Sequence, residues 1–406
     1  MSRGELLREA LRAIRAHALR SFLTLLGIII GVATLVSVVS VITGLNSFVR
    51  ERVIRLAPDV YVLQKFGIIT SREEFLDAFK RRDLDWNDYL VLQRNLTLAA
   101  EIAAEVGGQT AVKHRDRRLA DLPVKGTTAN YGLMLRLDIT GGRYFTTAED
   151  DAAKKLAIIG WDIKDELFPQ QDALGREILI GGASYRVIGL VAKQGRTLGQ
   201  SPDRVVYIPI QAYRRQFGNR NSLDLLIRAH GGVPGVAASV EEARALLRAL
   251  RHTPFRGPDP FGIITVESLQ TLWRQISAAA FILSLLIASV SLGVGGIVIM
   301  NIMLVAVIER TQEIGMRRAT GARKRDIRRQ FLLEAALLSL LGGALGVAIG
   351  SLIALGVRGA LSFPAEVTPG IVAMGLVLSV VVGIAAGYWP ARNASNLPVV
   401  DALRAE

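Results

Sequence analysis

The chain has 406 residues, half of them hydrophobic, with 49 Lys and Arg against 36 Asp and Glu, a net charge of +13. A mean hydropathy of +0.34 alongside 21% charged residues excludes a disordered chain and argues against a purely soluble enzyme. With no cysteine there is no disulfide or thiolate site, and His17, His114, His230 and His252 are too scattered for a histidine zinc site.

Four long uncharged runs stand out in chain order: residues 21–49, 275–308, 335–357 and 367–391. Each exceeds the roughly 20 residues that a helix needs to cross a bilayer. The spans are read as 22–45, 275–308, 335–357 and 367–391. The first run is longer than a signal-peptide core and no A-x-A site follows it, so an uncleaved anchor is expected. Trp273, Tyr388 and Trp389 stand where interfacial aromatics are expected.

Orientation follows from Lys and Arg near the span ends. Residues 1–21 hold Arg3, Arg8, Arg12, Arg15 and Arg20. The connection 309–334 holds Arg310, Arg317, Arg318, Arg323, Lys324, Arg325, Arg328 and Arg329. The short loop 358–366 holds only Arg358, and the tail 392–406 holds Arg392 and Arg404. Both termini and the connection 309–334 are therefore expected in the cytoplasm, with residues 46–274 outside. The same placement removes nucleic acid as a partner, because the dense basic cluster sits where it sets membrane topology.

No Asp, Glu, Lys, Arg or His lies inside a span, unlike a proton relay or charged pore. Glu334 and Arg20 flank spans three and one, and a pairing between them is conceivable from their positions. Small residues recur at a spacing of four: Gly27 and Gly31, then Gly342, Gly346 and Gly350, then Gly383 and Gly387. They lie on one helix face and allow close helix packing, with membrane lipids around the bundle.

Within 46–274, residues 84–98 and 241–250 read as helices. Strand patterns occur at 60–64, 156–160, 177–180, 185–192, 205–210 and 223–229. Gly181 and Gly182 mark a hairpin. The expectation is an α+β extracytoplasmic domain of two lobes, the inserted lobe covering about 111–229. The carboxylates of 148–151 and 85–89 show no spacing that favours acid–base catalysis over solvated turns. No P-loop is present, and no metal site or cofactor is expected in this chain.

Span two is expected to run unbroken into "ERTQEIGMRRATGA", with Glu313 and Arg317 paired at i,i+4 and Gly321 ending the helix. A second helix carrying Asp326 and Ile327 leads into span three. Such a helix-turn-helix suits transmission of movement from a cytoplasmic partner; a solvated basic loop that only fixes topology is the alternative.

The stretch 293–327, together with 19–33 and 387–406, resembles the permease subunits of MacB-type ABC transporters in the FtsX-like superfamily. "ITGGRYFTTAEDD", "LGREILIGGASYRVIGLV" and "VVYIPI" are similar to that family's outer-domain pattern, whereas 66–90 fits it less well. The resemblance implies a membrane protein with four transmembrane helices and a two-lobed outer domain. It also implies an inner-membrane exporter subunit working by mechanotransmission, a homodimer, and a periplasmic adaptor with an outer-membrane duct. The chain begins almost at its first span, so ATP and magnesium would be bound by a separate ATPase subunit. Glu313, Ile314, Gly315, Arg317, Arg318, Gly321 and Ala322 match the family's ATPase-contacting connection. Lipoprotein release and a regulatory scaffold that activates an envelope enzyme are the other readings within the superfamily; a membrane-anchored enzyme is the reading outside it.

Overall fold

The structure, a computed structural model, describes residues 18–48, 56–194, 201–361, 365–399 and 402. Arg3, Arg8, Arg12, Arg15 and Arg404, on which part of the orientation reading rests, lie outside these residues, as does the side chain of Arg20. The chain divides into two compact units: residues 1–48 with 274–406, and residues 49–273.

The first helix, α1, spans Ala18–Phe48. The unit after it carries the strands β1 (Val60–Gln64), β2 (Ala99–His114), β3 (Arg117–Thr127), β4 (Ile139–Gly142), β5 (Leu156–Ile159), β6 (Glu177–Ile180), β7 (Ala183–Val191), β8 (Val206–Pro209), β9 (Asp224–Ala229) and β10 (Gly262–Thr265). Between them lie the helices α2 (Arg72–Lys80), α3 (Trp86–Asn95), α4 (Tyr131–Met134), α5 (Thr147–Asp151), α6 (Trp161–Leu167), α7 (Ile210–Phe217) and α8 (Val236–Leu250).

The strands pair in the order β10-β1-β9-β2-β3-β8-β5-β7-β4, and β6 pairs with both β2 and β7. The pairing β2-β3-β8-β5-β7-β6-β2 therefore closes a ring, while β10, β1 and β9 extend from β2 as an open sheet. These are the two lobes, and β2 belongs to both: its Ala99–Glu105 end pairs with β9 and its Glu105–His114 end pairs with β3. The sequence boundary near 111 falls inside this strand. Strand β9, which the sequence placed in the inserted lobe, belongs to the open sheet beside β1. The β6–β7 hairpin turns through Gly181 and Gly182, both at positive φ (53° and 90°). That is the backbone a two-residue hairpin loop demands and glycine adopts freely.

Large side chains fill this unit: Tyr61, Leu63, Leu84, Leu92, Phe168, Tyr185 and Phe261 are fully buried. The carboxylates of 85–89 and 148–151 do structural work. Asp85 and Asp88 form a capping box on α3, and Thr146 and Glu149 form one on α5. Each satisfies amides that the first turn leaves without partners. Asp88 also pairs with Arg251 at 2.6 Å, both side chains at most 4% exposed, which ties α3 to the end of α8.

The other unit holds α1, α9 (Val266–Glu309) from Arg274 on, α10 (Thr311–Ala319), α11 (Lys324–Leu361) and α12 (Pro369–Asn396). Among the described residues, α1, α9, α11 and α12 are long and apolar enough to cross a membrane. At 1.5 Å per residue α9 is about 66 Å long, roughly twice the hydrocarbon thickness. Trp273, expected just before span two, lies within α9.

Small residues set the helix spacing. A Cβ on Gly27 would meet Gly295 Cα at 2.8 Å, so α1 and α9 touch nearly backbone to backbone. On α11, Gly342 faces Leu25 and Ile28, Gly346 faces Ile29 and Val32, and Gly350 faces Ala33 and Val36. Both numbers rise together, so α1 and α11 run parallel. Ser37 Oγ donates to Gly350 O at 3.0 Å along the same seam. Helices α11 and α12 run antiparallel through Ala335 with Gly387, Ser339 with Gly383, Gly343 with Ser379, and Val347 with Gly375. At the two serine–glycine pairs a Cβ on the glycine would fall 2.0 to 2.2 Å from the serine hydroxyl. Gly31 packs on Leu292.

Candidate functional site

The connection between α9 and α11 forms from local signals. Helix α9 ends at Glu309; Arg310, at φ −106° and ψ 18°, is outside the helix, and α10 restarts at Thr311. The unbroken run expected from the sequence is therefore interrupted by one residue. The reason is a side chain: the Thr311 hydroxyl donates to Val307 O (3.0 Å) and Ile308 O (2.8 Å), carbonyls that a continuing backbone ladder would have used. Arg310 reaches across to Glu334 at 3.3 Å. Glu334 is thus paired within the connection; the side chain of Arg20, the partner conceived from the sequence, lies outside the described residues.

Helix α10 ends in a Schellman turn. The amide of Ala322 donates to Arg317 O (3.0 Å) and that of Gly321 to Arg318 O (3.2 Å), with Gly321 at φ +102°. The Asp326 carboxylate then accepts from the Arg323 amide at 3.1 Å at the start of α11.

The seven residues singled out in sequence divide between two environments. Ile314 and Gly315 are buried, with Ile314 in the same apolar cluster as Ile327, Phe331, Ala391 and Ala394. Arg317 pairs with Glu313 one turn back and donates to Gln330 Oε1 at 2.8 Å on α11. Arg318 turns to the end of α12, donating to Leu397 O at 2.6 Å and Ser395 O at 3.4 Å, where helix carbonyls lack partners. Ala322 is half-buried. Gly321 is open, together with Met316, Ala319, Thr320, Arg323 and Arg325, which the sequence reading did not single out. Their exposure depends on which way α10 rolls, and only the burial of Ile314 reveals that.

Elsewhere, burial raises two carboxyls. Asp224 is pushed from its ordinary 3.8 to about 7 by desolvation and by Glu105, its direct neighbour across the β2–β9 pairing, against the pull of Lys125. Asp150 is raised to about 6 by burial, while it accepts from the Gln211 amide at the start of α7. Among the described residues no group of three or more His, Asp or Glu is placed to hold a metal ion.

Two family models match the chain: the MacB-like periplasmic core domain over residues 21–250 and the FtsX-like permease C-terminal domain over residues 280–399. The macrolide export ATP-binding/permease protein MacB of Bdellovibrio bacteriovorus is 31% identical over 99% of this chain and 62% of its own length. Its namesake MacB 2 of Aeromonas hydrophila is 34% identical over 99% of this chain and 61% of its own length. The chain thus spans about three fifths of these relatives. The periplasmic region of MacB from Actinobacillus actinomycetemcomitans superposes with a TM-score of 0.46 at 14% identity, covering 55% of this chain and 95% of that one.

Proposed function

The chain belongs to the MacB-like permeases, with a MacB-like periplasmic core domain and an FtsX-like permease domain, and from that membership we propose that it is the membrane subunit of an ATP-driven exporter. It sits in the inner membrane with both termini and α10 in the cytoplasm and residues 46–274 outside, as the basic residues of 309–334 favour. A separate ABC ATPase binds ATP and magnesium and bears on α10. The protein works as a homodimer, with a periplasmic adaptor and an outer-membrane duct receiving the substrate. Movement passes along helices to the outer domain, and no substrate crosses between the spans.

One observation carries this reading. Helix α10 is a short element joined to two membrane helices by a one-residue joint at Arg310 and a Schellman turn at Gly321. A push on α10 therefore reaches both helices. Arg317 and Arg318 are held by internal partners, so the cleaner probes are the exposed Arg323 and Arg325. Arg323→Glu with Arg325→Glu, in the complex reconstituted with its ATPase, is expected to lower transport-coupled ATP hydrolysis about tenfold, with membrane insertion unchanged. Unaltered hydrolysis and export would refute the assignment of the turn between α10 and α11 as part of the ATPase contact.

A further inference from the structure

Beyond α12, Ala402 N donates to Pro398 O at 3.0 Å, and Ala402 is 2% exposed. What covers it is α10. A Cβ on Gly315 would lie 2.8 Å from Ala402 Cβ and 3.3 Å from its carbonyl carbon, closer than side chains normally approach. Glycine is a poor helix former, so its place in the middle of α10 needs a reason, and this close approach supplies one.

Two further contacts hold the end of α12 and the residue that follows it. Arg318, one turn along from Gly315, donates to Leu397 O at 2.6 Å and Ser395 O at 3.4 Å. Lys324 Nζ, at the start of α11, donates to Asn396 Oδ1 at 3.3 Å. Leu397 and Ala402 are thus attached to α10, and the last residue of α12 to the start of α11.

We propose that Leu397 and Ala402 brace α10, with Ala402 seated in the notch at Gly315 and the Leu397 carbonyl held by Arg318, and that this brace sets the position from which α10 transmits force. Gly315 and Arg318 are then positioning residues, turned away from the ATPase that their sequence match suggested they touch. The functional half of this inference rests on the proposed role of α10; the seating of Ala402 does not.

The test has two arms on the full-length chain. The sequence contains no cysteine, so Ala402→Cys in native membranes gives this chain a single thiol, read on the purified chain after labelling. A membrane-permeant maleimide should modify it at least about tenfold more slowly than Thr320→Cys, whose position is exposed. Adding Gly315→Leu should remove that protection. Equal labelling at 402 and 320 overturns the brace itself.

In the second arm, Gly315→Ala should reduce coupled ATP hydrolysis about tenfold, and the compensating Ala402→Gly should restore it to within about twofold. A Gly315→Ala protein with full coupling, or a defect that Ala402→Gly leaves in place, overturns the positioning role. If the wild-type chain binds no ATPase, the proposed function fails while the labelling result still decides the seating.

Discussion

The two units bury surface in opposite ways. Residues 49–273 fill their interior with Tyr61, Phe168, Tyr185 and Phe261, and they bury an ion pair between Asp88 and Arg251. In the membrane unit the seams are made of Gly27, Gly295, Gly343, Gly346 and Gly383 against serine, alanine and backbone. In water, large side chains gain by leaving solvent. In hydrocarbon a leucine gains nothing by that transfer, so helices adhere through close backbone approach. A glycine therefore carries in one unit what a tyrosine carries in the other.

The comparison can be broken first at its buried charge. Asp88→Ala leaves the buried Arg251 guanidinium with the carbonyls of Arg82, Asp83 and Pro260 but no counter-charge, and is expected to cost about 3–5 kcal/mol. Denaturant unfolding of the full chain in detergent, followed by near-ultraviolet dichroism of the aromatic core, measures it. A loss below about 1 kcal/mol would show that the pair contributes little.

Two glycines of α11 sharpen the other side. A Cβ on Gly346 would meet Ile29 O and Val32 Cβ at 2.9 Å, whereas Gly356 has nothing within 4 Å. Gly346→Ala is expected to destabilise the helix bundle by about 1–3 kcal/mol. Gly356→Ala should be neutral or stabilising by up to about 1 kcal/mol, its helix propensity alone. Thermal melting of the two variants side by side is the measurement, and equal shifts would remove the packing explanation.

The smallest expected effect is a slope. Between about pH 3.8 and about pH 7 the native chain keeps a proton on Asp224 that the unfolded chain has released. Stability should therefore fall as pH rises through that window. Asp224→Asn should flatten the fall and leave the variant more stable than wild type at pH 8. An unchanged profile would mean that Asp224 ionises normally.

The four spans were legible because uncharged runs of that length have no other ordinary home. Six strands were legible from alternation or apolar runs. The long β2–β3 hairpin was not: "AAEIAAEVGG" is rich in Ala and Glu, which favour helices, and only its place between β9 and β3 makes it a strand. At the connection, the Glu313–Arg317 pair and the Gly321 stop were readable because both are local. The contacts of Arg318 were not legible because its acceptors are main-chain carbonyls 77 and 79 residues away, and carbonyls leave no mark in a sequence. The break at Arg310 escaped for a related reason: a threonine hydroxyl competes with the backbone only when rotated toward it.

That threonine has a mechanical consequence. Because its hydroxyl occupies the carbonyls left over at the end of α9, the chain can bend at Arg310 without orphaning a polar group beside the lipid. Two stiff rods thus meet at a single residue, and the change of direction between them is confined to it.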